Sequence, residues 1–400
     1  MGKAMREQRY RHSFVEPCLA GASDDAIRWI HELDDLAGAA IRPLAAETDR
    51  LSRFPREALL KLRAIGAFGI SAPADAGGLG FGDAVAALAV EIVAAGCPST
   101  AAILMFHNQV VARIARFGHS ERHRHDLERL AAGEWIGSSA WTELGAGADK
   151  SSLQTRLQRC SGEASVRGEK HFCTGLEGAD LIHVLLDVPT QNGQCNPTFL
   201  RVERNASGVE IADIYDLMGL RGSSTGTLRL QDVVVDDCDL VGNVGEGLQL
   251  MKASHETLMN PGLIALGIAR AAYEEAKLGV QGLSAGSRNT SCYQSVRQAI
   301  ADMELRLGAA YAYAGSVVRL MQERVNDLNI ECTKIKVHAS GAACEVATAA
   351  MRIAGGRGFS RKWPFERHFR DAQATVLMGP INELIRERVA AQSLGHAGIH

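Results

Sequence analysis

The first third of the chain carries apolar residues at the spacing of an α-helix. Between residues 24 and 48, they recur every three or four positions: Ile27, Ile30, Leu33, Leu36 and Ala37. This spacing places them on one face of a helix. Ser23 is a candidate N-cap, and Pro43 is expected to kink or end that helix. Apolar stretches near 55–66, 83–96 and 99–117 predict further helices, so this part of the chain is predicted to be helical.

The pattern changes after Trp135. Residues 162–175 (GEASVRGEKHFCTG) and 225–237 (TGTLRLQDVVVDD) resemble strands. In the second segment, polar residues at 227, 229 and 231 alternate with Leu228 and Leu230, which is the period of a half-buried strand. The middle third is therefore predicted to be a β domain with an open or barrel-like sheet.

From Gly247 onward, the pattern is helical again. Long segments rich in Ala and Gly lie near 246–282, 291–324, 328–354 and 376–392. Long helices with short connections favour an antiparallel four-helix bundle. The predicted fold class is α+β. It comprises an N-terminal helical domain (1–130), a middle β domain (131–241) and a C-terminal four-helix bundle (242–400).

Composition narrows the possible functions. The net charge of −3 gives no electrostatic basis for binding nucleic acid or an anionic membrane. Nine scattered cysteines, with no CxxC pair and no zinc-ligand spacing, indicate reduced thiols and no metal site. No signal peptide and no membrane-spanning apolar run is recognised, so a cytoplasmic protein is expected.

Seven segments, spread in order over most of the chain, resemble the acyl-CoA dehydrogenase family. They are FPREALLKLRAIGAFGISAPADAGGLG, PSTAAILMFHNQV, LAAGEWIGSSAWTELGAGADKSS, RGEKHFCTG, MGLRGSSTGTLRLQDVVV, GEGLQLM and GGRGFSRKWPFERHFRDAQ. The resemblance implies the three domains given above, with FAD bound where they meet. It also implies a homodimer or homotetramer.

Four residues are expected to contact the flavin if the resemblance holds. Thr142 would bond the pyrimidine edge of the ring system, and Gly147 would let the backbone approach closely. Phe172 stands where a tryptophan is usual and would cover part of the ring system. Thr174 would bond flavin N5 from the face away from substrate. Without the resemblance, GAG is an ordinary turn and HFCTG is a core strand.

Other cofactor contacts implied by the resemblance lie in the C-terminal part. Gly356, in GGRG, matches a loop that receives FAD from a neighbouring subunit, and Arg352 stands where a glutamine is common. Asn382 and Glu383 match residues that lie near the FAD. Arg288 is a possible, out-of-register substitute for an arginine that the family directs at the FAD pyrophosphate. Gly356 or its neighbours also fit a helix C-terminal cap.

The usual catalytic base is missing. The family's glutamate aligns with Gly379, which has no side chain to accept a proton. Some relatives place the base on the first bundle helix, where Thr257 or Leu258 stands here. Glu256 is one or two residues away, about 100–200° around a helix. It is the candidate catalytic residue, and an ordinary surface carboxylate is the alternative.

Three functions remain open. The first is a flavin-dependent dehydrogenase of acyl-CoA or acyl-carrier-protein thioesters with a relocated base, together with an electron-transfer or reductase partner. The second is a flavoenzyme on the same fold that needs no base, such as a monooxygenase or an elimination enzyme. The third is a non-catalytic family member.

Within RGSST, the expected role is a hydrogen-bonded turn that holds Arg221 in an ion pair.

Overall fold

The N-terminal third is helical, as its hydrophobic pattern predicts. The computed structural model describes residues 9–145, 150, 152–160, 162–190, 194–252, 259–281, 284–285, 288–323, 325 and 328–395. The helices of the first third are α1 (His12–Leu19), α2 (Asp24–Leu36), α3 (Arg42–Leu51), α4 (Arg56–Ala64), α5 (Gly82–Gly96), α6 (Pro98–Phe117) and α7 (Glu121–Ala131).

The first helix predicted from the sequence is divided in the structure. Ser23 caps α2, because its side-chain oxygen accepts a hydrogen bond from the N–H of Ala26 at 3.2 Å. A π-helical turn at Ala37–Ile41 then leads into α3, where Pro43 occupies the first turn. The sequence predicts that Pro43 kinks or ends this helix: the α-helix gives way to a π turn just before Pro43, and the helical run resumes at Arg42 rather than ending. A proline is tolerated in a first turn, where a missing N–H costs no intrahelical hydrogen bond.

The middle third forms one open sheet. Its strands are β1 (Gly137–Ala140), β2 (Arg156–Cys160), β3 (Glu163–Cys173), β4 (Leu181–Asp187), β5 (Pro197–Glu203), β6 (Val209–Ile214), β7 (Gly226–Val235) and β8 (Leu240–Val241). The strand order is β6-β7-β3-β2-β4-β5-β8, with β1 parallel to β4. The two strands predicted from the sequence, β3 and β7, pair antiparallel. The candidate site lies where β3 ends and β7 begins.

The last third is helical. Its elements are α8 (Gly247–Leu250), α9 (Gly262–Gln281), the hairpin β9 (Ser284–Ala285) and β10 (Arg288–Asn289), α10 (Gln294–Gln322), α11 (Asn329–Ile353), α12 (Phe365–Leu377) and α13 (Asn382–Ser393). Small residues permit close helix packing. A Cβ at Gly267 would lie 2.5 Å from the carbonyl oxygen of Glu91, and one at Gly262 would lie 2.9 Å from Cα of Lys336. Helix α9 therefore packs directly against α5 and α11.

A buried carboxylate joins the two helical regions. Glu91 on α5 accepts hydrogen bonds from Arg270 Nε at 2.7 Å and from the Tyr311 hydroxyl at 2.5 Å. It also accepts one from Arg11, just before α1. Burial alone would raise the pKa of Glu91, but the two guanidinium groups hold it below its ordinary value. The segment around Arg11 is thereby fixed to the bundle, since an unpaired charge at this depth is costly.

Candidate flavin site

Thr142, Phe172 and Thr174 lie at one end of β3. The N–H of His171 donates to the carbonyl oxygen of Thr142 at 2.8 Å, which fixes the segment after β1 against β3. The pairing of β3 with β7 is irregular between Lys170 and Cys173, as in a β-bulge. Residues from two separate family-like segments are therefore brought together where β3 ends.

Phe172 has a strained backbone and an exposed ring. Its φ is +55°, in the left-handed region that costs a non-glycine residue about 1–2 kcal/mol. The side chain is 57% exposed, and its ring meets the ring of Tyr215 edge-on at 5.1 Å. A strained backbone that turns a large apolar side chain outward is a feature of binding sites rather than of a sheet core.

A hydrogen-bonded group beneath Phe172 was not recognised from the sequence. The Tyr215 hydroxyl lies 3.0 Å from Nδ1 of His171 and 2.5 Å from Oγ1 of Thr227. Nε2 of His171 lies 3.0 Å from a carboxylate oxygen of Glu169. These contacts join β3, β7 and the end of β6, and they fix the tyrosine ring that supports Phe172. No periodic signal would have paired residues 171 and 215.

Thr174 is buried and tightly held. The Ser138 hydroxyl donates to the carbonyl oxygen of Thr174 at 2.7 Å. The hydroxyl of Thr174 lies 3.0 Å from the hydroxyl of Thr225. The Thr225 hydroxyl lies in turn 2.8 Å from that of Ser223. Both partners belong to the RGSST segment, so this turn contributes to the site. The sequence interpretation, which gave the segment only a role in holding Arg221, missed these two hydroxyls.

The expected ion pair of Arg221 is present. Its guanidinium lies 2.6 Å from a carboxylate oxygen of Asp216 and also donates to the carbonyl oxygens of Asp49 and Leu217. The neighbouring Leu220 has a φ of +51°. Arg221 thus holds a strained turn in place between the sheet and α3.

A buried ion pair lies behind the segment that follows Thr142. Oε1 of Glu143 accepts from Nζ of Lys170 at 2.6 Å and from the N–H of Thr155 at 3.0 Å, and Oε2 accepts from the N–H of Gln154 at 2.6 Å. Burial alone would raise the pKa of Glu143. The lysine and the backbone amides lower it to about 2. Glu143 is therefore a fixed anion that anchors this loop.

Gly379 lies in the turn between α12 and α13. It is exposed, and a Cβ there would meet no atom within 4 Å. The buried ammonium group of Lys336 donates to the carbonyl oxygens of Val376 and Pro380 at 2.9 Å each. Burial lowers the pKa of Lys336 to about 8. The turn is therefore held from below, and the side facing away from Lys336 has room for a side chain.

Asn382 and Glu383 follow this turn in different environments. Asn382 is buried and donates from Nδ2 to the hydroxyl of Ser340 at 2.9 Å. Glu383 is exposed and lies 3.3 Å from the guanidinium of Arg386. The structure places Asn382 in a link to α11 and Glu383 at the surface. Their contact with a cofactor stays a prediction.

The GGRG segment follows α11 directly. Gly355 has a φ of +59° and continues into a 3-10 turn, so the alternative of a helix cap holds for this glycine. Gly356 and Arg352 are exposed, and a Cβ at Gly356 would meet no atom within 4 Å. Both residues are accessible to a partner or a ligand, and their cofactor role stays a prediction.

Three predicted site residues are placed only partly or not at all. Glu256 and Gly147 lie outside the described residues. The backbone of Arg288 pairs with Ala285 in the β9–β10 hairpin. Within the described ranges, no cluster of three or more His, Cys, Asp or Glu side chains is arranged to hold a metal ion. Among the same residues, no helix has both the length and the apolarity to cross a membrane.

Comparison with known proteins agrees with this architecture. Sequence profiles of the acyl-CoA dehydrogenase N-terminal, middle and C-terminal domains match residues 23–134, 138–233 and 247–394. A short-chain specific acyl-CoA dehydrogenase of Clostridium acetobutylicum is 29% identical over 353 residues, covering 88% of this chain and 93% of the relative. An acyl-CoA dehydrogenase of Bacillus subtilis is 30% identical over 368 residues, covering 90% and 96%.

A solved structure agrees as well. Butyryl-CoA dehydrogenase from Megasphaera elsdenii superposes with a TM-score of 0.87 at 26% identity, covering 93% of this chain and 98% of that chain. The three domain profiles together span most of the sequence in the order of the family. The chain therefore belongs to the acyl-CoA dehydrogenase family.

Proposed function

We propose that this protein is an FAD-dependent oxidoreductase that dehydrogenates an acyl thioester between its α- and β-carbons. The substrate is an acyl-CoA or an acyl-carrier-protein thioester. One observation carries the proposal: the exposed, strained Phe172 lies beside Thr142 and the buried Thr174, in a chain of this family. The names of the relatives, which include short-chain specific and butyryl-CoA dehydrogenases, support this substrate class.

The residues around the end of β3 fit a flavin ring system. A flavin needs an apolar surface for its face and polar groups along its edge. Phe172 and Leu144 offer exposed apolar surface, and Thr174, two residues after Phe172, carries a hydroxyl. At Gly145, a Cβ would meet no atom within 4 Å, so the backbone is open to a close approach.

The chemistry requires a base that Gly379 does not provide. Bound flavin supplies the acceptor for the β-hydrogen, and the α-proton must move to a protein group. The open space at Gly379 holds no side chain, so the base comes from another part of the chain. Glu256 remains our candidate.

The visible spectrum of the purified protein, before and after anaerobic addition of acyl thioesters, tests the proposal. We expect a yellow protein whose flavin bleaches with one or more acyl-CoA or acyl-carrier-protein substrates. Flavin retained by the protein but left oxidised by a panel of both thioester classes contradicts the dehydrogenase. A colourless protein that does not bind added FAD contradicts the flavin site itself.

The empty position at Gly379 favours a second candidate, a flavoenzyme that needs no α-proton abstraction. Such a protein keeps its flavin oxidised with acyl thioesters. It instead oxygenates or eliminates a different substrate when reduced flavin is supplied. Oxygen-dependent NADH consumption with an added flavin reductase, coupled to product formation, separates it from the dehydrogenase.

We also propose a homodimer or homotetramer in which the exposed Gly356 and Arg352 face the FAD of a neighbouring subunit. The support is their accessibility next to each other at the end of α11. Light scattering of the purified protein tests the assembly. A monomer that retains FAD would contradict this arrangement.

A further inference from the structure

Three side-chain hydroxyls form a continuous chain inside the candidate site. Oγ1 of Thr174 lies 3.0 Å from Oγ1 of Thr225, which lies 2.8 Å from Oγ of Ser223. All three residues are more than nine-tenths buried. Thr174 follows β3, whereas the other two lie 49 and 51 positions later, so the chain exists only in the folded protein.

The backbone around these hydroxyls is held on both sides. The Ser138 hydroxyl fixes the carbonyl oxygen of Thr174, and the N–H of Gly175 donates to the carbonyl oxygen of Ser223 at 2.9 Å. Ser224, between the two turn hydroxyls, has a φ of +49°. A non-glycine residue keeps this conformation only where its surroundings impose it, and such positions concentrate at functional sites.

Counting protons shows that one of the three hydroxyls keeps a proton that the chain does not use. Each hydroxyl carries one proton, and the two contacts between hydroxyls use two of the three. When Thr225 accepts from one neighbour and donates to the other, the third proton lies on Ser223 or on Thr174; when Thr225 accepts from both, its own proton is the one left over. Among the described residues, neither hydroxyl has a further side-chain acceptor beyond the chain. A ligand atom that accepts a hydrogen bond from Thr174 therefore selects the direction in which all three hydroxyls point.

We propose that Thr225 and Ser223 are positioning residues that aim the Thr174 hydroxyl at the flavin ring. With a ring nitrogen that accepts a hydrogen bond, Ser223 donates to Thr225, Thr225 to Thr174, and Thr174 to the ring. A reduced flavin, whose N5 would carry a proton, would donate to Thr174, and Thr174 would then donate to Thr225. The chain would thus offer the ring a donor or an acceptor without moving a heavy atom, and only the donor arrangement pairs every hydroxyl proton of the chain. This inference rests on the proposed function and adds two residues to its site.

Removal of the middle hydroxyl tests this role in the flavin-loaded protein. Thr225→Val keeps the side-chain shape, leaves Thr174 without its partner, and is compared with the conservative Thr225→Ser. A lost buried hydrogen bond is worth about 0.5–1.5 kcal/mol. We therefore expect flavin bleaching by an acyl thioester to slow about twofold to tenfold at unchanged KM, with an altered flavin absorption band. Thr225→Ser should restore both.

Two results would overturn the inference in that experiment. One is a Thr225→Val protein with the spectrum and bleaching rate of the parent. The other is a Thr225→Ser protein as impaired as Thr225→Val, which would mean that side-chain shape matters rather than the hydroxyl. In either case, bleaching of the parent protein would leave the proposed function intact.

A double-mutant cycle tests the hydroxyl chain without flavin. Thr174→Val, Thr225→Val and the double variant are unfolded with denaturant as apoproteins. Hydrogen-bonded pairs show non-additive effects of at least about 0.5 kcal/mol, which is about twofold in the unfolding equilibrium constant. Thr227→Val is the matched control, because Thr227 lies two residues after Thr225, in β7, but contacts Tyr215. The control pair is Thr174→Val with Thr227→Val. If the effects of Thr174→Val and Thr225→Val add as those of the control pair do, the hydroxyl chain is refuted. This result counts even if the parent protein proves colourless.

Discussion

Replacement of Gly379 by glutamate tests whether the turn between α12 and α13 faces the reacting acyl chain. The position is exposed, its φ lies outside the left-handed region, and a Cβ would meet no atom within 4 Å. Surface changes of this kind alter the free energy of unfolding by about 0.5 kcal/mol or less. The variant should therefore fold and hold flavin as the parent does.

The expected gain is large. A positioned general base accelerates proton transfer by about 10²–10⁴-fold, which corresponds to about 3–5 kcal/mol of activation free energy. This gain applies in a Glu256→Gln background, which lacks our candidate base. There, Gly379→Glu should bleach flavin faster with acyl thioesters, up to this factor, in anaerobic stopped-flow absorbance. The rate should rise with pH as the added carboxylate loses its proton.

A control separates the position from the added charge. Gly38 is also exposed, and a Cβ there would likewise meet no atom within 4 Å, so Gly38→Glu adds the same group elsewhere. We expect no change in its bleaching rate. In the Glu256→Gln background, a folded, flavin-loaded Gly379→Glu protein that bleaches no faster than Gly38→Glu would refute the placement of residue 379 beside the substrate.

Further predictions concern stability and the flavin edge. Arg11→Met should lower the free energy of unfolding by about 3–5 kcal/mol in denaturant titration, because it leaves Glu91 short of a buried partner. The control is Arg28→Met, which removes an exposed ion pair. Equal losses of stability in the two variants would contradict the argument. The pKa of Glu143 falls on folding from 4.5 to about 2, so its stabilisation is complete above about pH 4.5 and is lost as pH falls towards 2. Glu143→Gln should flatten that part of the pH–stability curve, and an unchanged curve would exclude this role. Thr174→Val should shift the flavin absorption band or weaken flavin retention, and an unaltered holoprotein would argue against its contact with the ring.

Local signals accounted for the order of elements. The helical spacing after Ser23 and the alternation at Leu228 and Leu230 each became the predicted kind of element, since burial of one face is a repeating property of adjacent residues. The alternation failed at Thr227, which is buried because its hydroxyl contacts Tyr215. Pro43 follows an irregular π turn but does not end the helical run, because a proline suits the start of a helix as well as its end.

Sequence by itself determined the helix–sheet–helix order, the family motifs and the absence of a side chain at Gly379. Only the tertiary structure decided that Phe172 turns outward, and that Thr174 shares its hydroxyl with Thr225 and Ser223. Periodicity reports which residues are buried together within one element. It carries no information about which hydroxyls meet across two segments. That pairing is set by the β3–β7 register and by the strained turn that enters β7.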